Sequence, residues 1–343
     1  MRIGIVVEGF NEGERLTRCL SSLRACGLSV VYVDSGSTDG SVEYAASQGC
    51  HLVSLDVSQI PFNCSRARNA GFLKLLDIDP SIDIVQFVDA DCEVSAEWLG
   101  VVTCQFTQDR QLGVLCGRLT ERERNSSIYS RLCDMEWDGP LGEVPTCGGI
   151  AAMRADIFER LGGFREDLGG DEEIELCTRF RGEGFHTVRV ADHMATHDAG
   201  MVRFSQWWRR AVKHGSVYAQ AVAQGRSDSY KRRQLARAVV WGGILPAGAV
   251  LGTAIAVIWP AALVLPSAAM MIYAALAWRA SAYRRRRGSS VADSWLYGAF
   301  CVVGNVAHFT GCCRYLGHRN VILSATAAPG ATRHIQVHQS AEA

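Results

Sequence analysis

From residue 2 to residue 190 short apolar runs alternate with amphipathic stretches. Residues 2–8 read as a first strand, and Gly9-Phe10-Asn11 turns the chain into a helix near 12–25, where Leu16, Leu20 and Leu23 fall at helical spacing. Residues 29–34 form a second strand ending in Asp34, followed by the turn Ser35–Gly40 and a helix near 41–48. A strand at 51–54, a helix near 65–76, a strand at 83–88, a helix near 95–107 and a strand at 112–118 continue the series. The stretch 120–147 is polar, contains Pro140 and Pro145, and is expected to include a mobile or acceptor-facing loop. A helix near 155–161 capped by Gly162-Gly163, a charged helix over 171–184 and a strand over His186–Val190 close the pattern. Strands alternating with helices predict an α/β fold built on a mostly parallel, doubly wound sheet.

The pattern changes after residue 200. Between 201 and 237 nine Lys/Arg stand against one acid, Asp228, with Phe204, Trp207 and Trp208 among them. A basic, Trp-bearing amphipathic segment fits a membrane interface with anionic lipid. Ala238 to Trp278 then contains no charged residue in 41 positions. One crossing takes about 20 apolar residues, so two spans fit, 238–258 and 260–278, broken at Trp259-Pro260. The apolar stretch 294–313, which carries Asn305 and His308, is a candidate third span or an interfacial helix. Arg284–Arg287 and the 201–237 cations face the cytoplasm by the positive-inside rule. The Ala/Ser/His-rich tail, 318–343, predicts disorder. These boundaries give a domain at 1–200, interfacial helices at 201–237 and a membrane region at 238–317.

Composition narrows the classes. The chain of 343 residues has zero formal net charge, which gives no support to a nucleic-acid partner. Thirteen scattered cysteines without a CxxC pair or zinc spacing, and no secretory leader, predict reduced thiols and a cytosolic main domain.

The chemistry gathers at predicted strand ends. Ile84–Asp91 is a β-prone run that ends in Asp89 and Asp91. In open α/β sheets ligands bind beyond the carboxyl ends of the strands. Two carboxylates at i, i+2 suit a hard divalent cation carrying phosphates; the alternative is an Asp-rich turn. Asp34 ends the second strand, and Gly36 and Gly40 in the turn after it let backbone approach a ligand closely. Asp171-Glu172-Glu173 and His197-Asp198 are further acidic stations, although Glu172, Glu173 and Glu175 also suit a solvated helix face. Neither GxGxxG nor GxxxxGK[ST] occurs, which argues against dehydrogenase and ATPase readings.

Six segments in order carry a resemblance: Val7–Glu12, Val33–Gly40, Arg66–Gly71, Phe87–Asp91, Gly162–Phe164 and Glu172–Arg179. Over residues 1 to about 215 the chain resembles the family 2 glycosyltransferases. The resemblance implies a GT-A fold, a nucleotide-diphospho-sugar donor, Mg²⁺ or Mn²⁺, and inversion at the anomeric carbon. It implies that Phe10 and Asn11 border the nucleobase, Asp34 binds the base, Arg66 and Asn69 lie near the nucleotide-sugar, and Asp89 contacts ribose or sugar. Asp91, with His197, is implied at the metal. Glu173 takes the position of the general base, with Glu172 as the fallback. The family often has Pro where Glu8 stands, and usually Glu-Asp where Glu172-Glu173 stands.

The resulting expectation is a membrane-associated inverting glycosyltransferase with its catalytic domain on the cytoplasmic side of a multi-pass anchor. Its acceptor is expected to be a lipid-linked or cell-surface saccharide, met beside membrane lipids. A sugar nucleotidyltransferase and a non-catalytic, nucleotide-sugar-binding membrane scaffold are the rival readings.

Overall fold

The computed structural model describes residues 1–24, 27–58, 63–168, 170–225 and 229–326. Its order is β1 (Ile3–Gly9), α1 (Glu14–Arg24), β2 (Val30–Asp34), α2 (Ser41–Ser47), β3 (His51–Ser54), α3 (Cys64–Ile78), β4 (Ile84–Asp89), β5 (Cys92–Val94), α4 (Trp98–Gln108) and β6 (Leu112–Glu121). There follow α5 (Ile128–Trp137), β7 (Gly142–Glu143), β8 (Ala151–Arg154), α6 (Ala155–Arg160), α7 (Glu172–Gly182), β9 (His186–His197) and α8 (Phe204–Ala223). The chain divides into two compact units, Met1–Trp207 with Tyr283–Tyr297, and Trp208–Ala282 with the chain from Gly298 onward.

In the first unit a single sheet runs β3-β2-β1-β4-β8-β6-β9-β5, with β7 added beside β9. The β3-β2-β1-β4 half is parallel throughout. Beyond β4 the sheet is mixed: β8 runs antiparallel to β4 and β6, β6 and β9 are parallel, and β5 and β7 run antiparallel to β9. All seven residues of β1 are buried, as a central strand covered on both faces requires. Helix α3 starts where Asn63 accepts the backbone N–H groups of Ser65 and Arg66. Its inner face, Arg68, Gly71, Phe72 and Leu75, lies on the sheet. Phe72, Phe87, Phe158 and Phe164 form an aromatic cluster with centroid separations of 4.7–5.4 Å. Buried Trp98 has its indole N–H satisfied by Gln86 Oε1 at 2.8 Å.

Two segments differ from the sequence reading. The 120–147 stretch contains α5, whose N-cap Ser127 accepts from Tyr129 and Ser130 N–H. Leu132 and Met135 give α5 a buried face at i, i+3 spacing. The last strand runs on from Val190 to His197, because pairing with β6 and β5 supplies backbone partners for its polar residues. The described cysteines are all free thiols.

The second unit is helical. After α8 come α9 (Ser229–Arg237), a π-helical stretch Ala238–Ile244, α10 (Leu245–Ala256), a 3₁₀ turn Pro260–Leu263, α11 (Val264–Arg286) and α12 (Val291–Thr326). Pro246 lies one turn beyond Gly242; its ring clashes with the i−4 carbonyl, and the wider π turn relieves that clash. The backbone of α12 lies against α8 at Gly215 and Gly311, and against the π turn at Gly242, closely enough to exclude a Cβ. Such small-residue contacts bring apolar helices together without a water-driven core. Among the described residues, three helices are long and apolar enough to cross a membrane: Tyr230–Ala256, Pro260–Arg286 and Val291–Gly317. Helix α12 continues to Thr326, through the first part of the expected tail, and the rest of that tail lies outside the described residues.

Candidate active site

The parallel register aligns the strand ends. Glu8 pairs with Asp89, and Gly9 with Asp34. The loops that follow are tied to each other: Asn11 Oδ1 accepts Thr38 N–H at 2.8 Å, and Asn11 N–H donates to Ser37 Oγ at 2.9 Å. Asn11 adopts φ +54°, a conformation that Asn tolerates better than most residues. Asp34 Oδ2 accepts the Gly36 and Ser37 N–H groups at 2.8 Å each, so its first role is to build the turn. Phe10 stands about half exposed beside this loop pair. Arg66 Nη1 donates to the Asp56 carbonyl and links the start of α3 to the loop after β3.

The next residue on the buried face of α3, Arg68, gathers the carboxylates. Its side chain is 4% exposed. Nη2 lies 2.8 Å from Glu8 Oε1 and 3.0 Å from Asp89 Oδ1. Nη1 lies 2.9 Å from Glu173 Oε1 and 3.8 Å from Glu172 Oε1. The first turn of α7 thereby meets the ends of β1 and β4. Gly149 lets the backbone pass over this pair, since a Cβ there would lie 2.7 Å from Arg68 Nη2 and 3.0 Å from an Asp89 oxygen. Asn69 brackets Phe164: Nδ2 donates to its carbonyl and Oδ1 accepts its N–H, both at 2.8 Å. The Phe164 ring lies 5.4 Å from the Arg68 guanidinium carbon. Asn69, expected beside the donor, is thus engaged in holding the segment that packs on Arg68.

Burial pushes the Glu8 carboxyl well above the usual carboxylate range, Arg68 pulling it down and Asp89 adding to the rise. Glu8 therefore keeps its proton in the fold after an unfolded Glu, at about pH 4.3, has lost it. That contribution is fully present below the unfolded value and is lost as pH rises through the folded one. Glu8→Gln, neutral at every pH, is expected to remove this slope. Thermal unfolding from about pH 5 to 9 checks it: the variant should gain on the wild type as pH rises, and parallel curves count against a protonated Glu8.

Asp91 faces the other way. Cys92 pairs with His197 across the β5–β9 ladder, and Asp198 N–H donates to the Asp91 carbonyl. His197 Nε2 comes within 3.4 Å of Asp91 Oδ2, while Nδ1 lies 3.0 Å from Glu121 Oε2. Glu121, 2% exposed at its side chain, also accepts the Ala199 N–H at 2.7 Å. Burial works against a charged imidazole, but hydrogen bonds with Asp91 and Glu121 push the His197 pKa up to about 10. Ligand atoms of Asp91, Cys92 and His197 lie within 4.8 Å of one another. Burial raises the Cys92 thiol far above its usual range, so it stays a neutral donor to Asp91 Oδ1. The carboxylate and the imidazole, which would give up its Nε2 proton on ligation, fit a divalent cation that completes its shell with phosphate oxygens. Glu121 orients the imidazole as carboxylates commonly do behind a ligating histidine.

Sequence reasoning passes over Arg68, Glu8 and Glu121. Arg68 carries a signal: it shares the 68, 71, 72, 75 face with Gly71, Phe72 and Leu75, and an arginine on a buried face requires partners. Glu121 carries none, because its role depends on a β6–β9 pairing distant in sequence.

A mixed α/β sheet with acidic strand ends of this kind is the GT-A glycosyltransferase fold. Over 93% of this chain it superposes on 88% of a mannosyltransferase from Pyrobaculum calidifontis solved with GDP-Man and Mn²⁺, with a TM-score of 0.55 at 18% identity. A glucosyl-3-phosphoglycerate synthase from Mycobacterium tuberculosis matches 66% of this chain and 81% of its own, with a TM-score of 0.46 at 17% identity. The sequence model of glycosyl transferase family 2 matches residues 5–162 of this chain. An O-antigen chain rhamnosyltransferase of Salmonella typhimurium is 23% identical over 217 residues, which is 57% of this chain and 66%, just under two thirds, of that protein.

Proposed function

We propose that the protein is a membrane-associated, inverting glycosyltransferase that moves a sugar from a nucleotide-diphospho-sugar donor to a lipid-linked or cell-surface polysaccharide acceptor. The observation that carries this reading is the division of the Asp89-Ala90-Asp91 strand end. Asp89 joins Glu173 on Arg68, while Asp91 faces His197. A base and a metal-ligating pair thus flank one strand end. Phe10, Asn11 and Asp34 border the base of the donor, and Asp89 its sugar side. Arg68 holds the Glu173 carboxyl in place, as the positioning of a general base requires. Glu173 takes the proton of the acceptor hydroxyl as that oxygen attacks C1 of the sugar. One base and one leaving group on opposite sides amount to a single displacement, which inverts the anomeric centre. Mg²⁺ or Mn²⁺ held by Asp91 and His197 would supply charge neutralisation for the departing diphosphate.

Topology agrees with this reading. Tyr283–Tyr297, the junction of the second and third candidate spans, belongs to the same compact unit as the catalytic site. That junction and the N-terminal domain therefore share one side of the bilayer, the cytoplasmic side by the positive-inside rule. The Salmonella relative is named an O-antigen chain rhamnosyltransferase, which supports a saccharide acceptor.

Nucleotide-sugars incubated with the full-length protein and Mn²⁺ or Mg²⁺ test the proposal through nucleotide release and transfer. Glu173→Gln is expected to retain donor binding and lose transfer by about 10²–10⁴-fold. Wild-type turnover in that variant removes Glu173 from the base position and leaves Glu172, whose own Gln variant then carries the test.

A further inference from the structure

The four arginines at 284–287 do not share one environment. Arg285 and Arg286 are exposed, whereas Arg284 is 4% exposed and Arg287 is half-buried. Arg284 and Arg287 stand at i, i+3 on one helix face, and that face meets the end of α5 within the first unit. Arg284 Nη1 donates to the Met135 carbonyl at 3.1 Å, and Arg287 Nη2 to the Gly139 carbonyl at 2.8 Å. Asp138 takes both guanidiniums, Arg284 at 3.1 Å and Arg287 at 3.1 and 3.3 Å. Cations there satisfy carbonyls that a helix C-terminus leaves without intrahelical partners, and they complement its dipole.

Trp137 lies between these anchors. Its ring meets the His197 ring edge-on at 5.0 Å, and its Nε1 lies 3.4 Å from Glu121 Oε2, the oxygen that also holds His197 Nδ1. A second path reaches the same place. Asp293, buried just past the turn, accepts from Arg124 at 2.8 Å; Arg124 holds Asp134 at 2.8 Å; Asp134 accepts the Glu121 N–H at 3.2 Å. Both ends of the turn between the second and third candidate spans thus lead to the Glu121–His197 pair.

We infer that this turn is a positioning element of the metal site, with Arg284 and Arg287 holding α5 so that Trp137 and Glu121 fix the His197 imidazole opposite Asp91. The inference rests on the proposed reading of Asp91 and His197 as metal ligands. It gives the arginine run two jobs: two side chains serve the site, and two stay exposed on the surface, where anionic lipid can meet them. Helices that enter the bilayer from either side of the turn are then coupled to the geometry at His197.

Mn²⁺ binding to the full-length protein in detergent, read from the EPR signal of free Mn²⁺, tests this without turnover. Arg287→Ala and Asp138→Asn are each expected to weaken Mn²⁺ by about tenfold, the lower end of losses for residues behind a ligand. The Arg285→Ala/Arg286→Ala double variant is expected to bind Mn²⁺ as the wild type does. A double-mutant cycle should show Arg287 and Asp138 acting through each other. Unchanged affinity in Arg287→Ala, or an equal loss in the Arg285/Arg286 variant, overturns the inference alone. A wild type that binds no Mn²⁺ overturns the metal-site reading together with it. Should Arg287→Ala fail to fold, Asp138→Asn, which keeps shape and loses only charge, decides on the same criterion.

Discussion

Arg68→Met is expected to lower the melting temperature of the catalytic domain by roughly 6–20 °C. Removing one partner from a buried ion pair costs about 3–5 kcal/mol, because the remaining charge stays buried without compensation. Here a single guanidinium faces Glu8, Asp89 and Glu173 within 3.0 Å, with Glu172 at 3.8 Å. For a domain of this size each kcal/mol shifts the midpoint by about 2–4 °C, and the loss is a large share of a total of about 5–15 kcal/mol. Methionine fills much of the volume, so the deficit is electrostatic rather than a cavity. Two consequences separate this from a general packing defect. Adding Glu173→Gln to Arg68→Met should recover part of the loss, since one carboxylate that needs compensation has gone. Transfer activity should fall even well below the new midpoint, because Glu173 loses the group that aims it. Differential scanning of wild type, both single variants and the double variant measures the coupling. A drop under about 2 °C for Arg68→Met, or strict additivity with Glu173→Gln, would show that solvent already shields the cluster.

What the sequence discloses, and what it hides, follows the distance over which each feature is built. Strands β1 and β4 are legible because every position is apolar or nearly so, and a strand buried on both faces leaves no other pattern. Asp34, Asp89 and Asp91 are legible because each ends such a run. Helix α5 escapes because flanking prolines and charges dominate its stretch, although Ser127 as a cap and the Leu132/Met135 spacing mark it. His197 resembles the family pattern most loosely of the residues assigned here. The fold nevertheless sets it beside Asp91, through an antiparallel pairing of Cys92 with His197 that local periodicity cannot reveal. Arg68 and Arg284 fail in sequence for a shared reason. Counting cations reports charge but not helix face, and both side chains point inward. The third apolar helix carries Asn305 and His308, polar residues that blur a hydropathy reading; Asn305 Nδ2 donates to the Cys301 carbonyl of its own helix and so needs no water.

Asp91→Asn should separate the two halves of the strand end most sharply. The substitution preserves shape and removes one negative charge from the pair formed with His197. A carboxylate is the hard donor that a Mg²⁺- or Mn²⁺-type ion requires, and an amide oxygen replaces it poorly. If the cation contributes about 4 kcal/mol of charge stabilisation to the departing diphosphate, kcat/KM falls by about 10³-fold. Mn²⁺ affinity should fall with it, and raised Mn²⁺ should restore part of the rate. Asp89→Asn makes the opposite pattern. Asp89 contacts Arg68 rather than His197, so its variant should bind Mn²⁺ as the wild type does while KM for the donor rises and added metal gives no rescue. The pair of profiles, rate against Mn²⁺ and rate against nucleotide-sugar, therefore assigns each carboxylate independently. Equal loss of Mn²⁺ affinity in both variants would mean that Asp89 and Asp91 share one ion. The contact of Asp89 with the buried Arg68 would then have to open when metal and donor arrive, exposing Glu173 to the acceptor in the same movement.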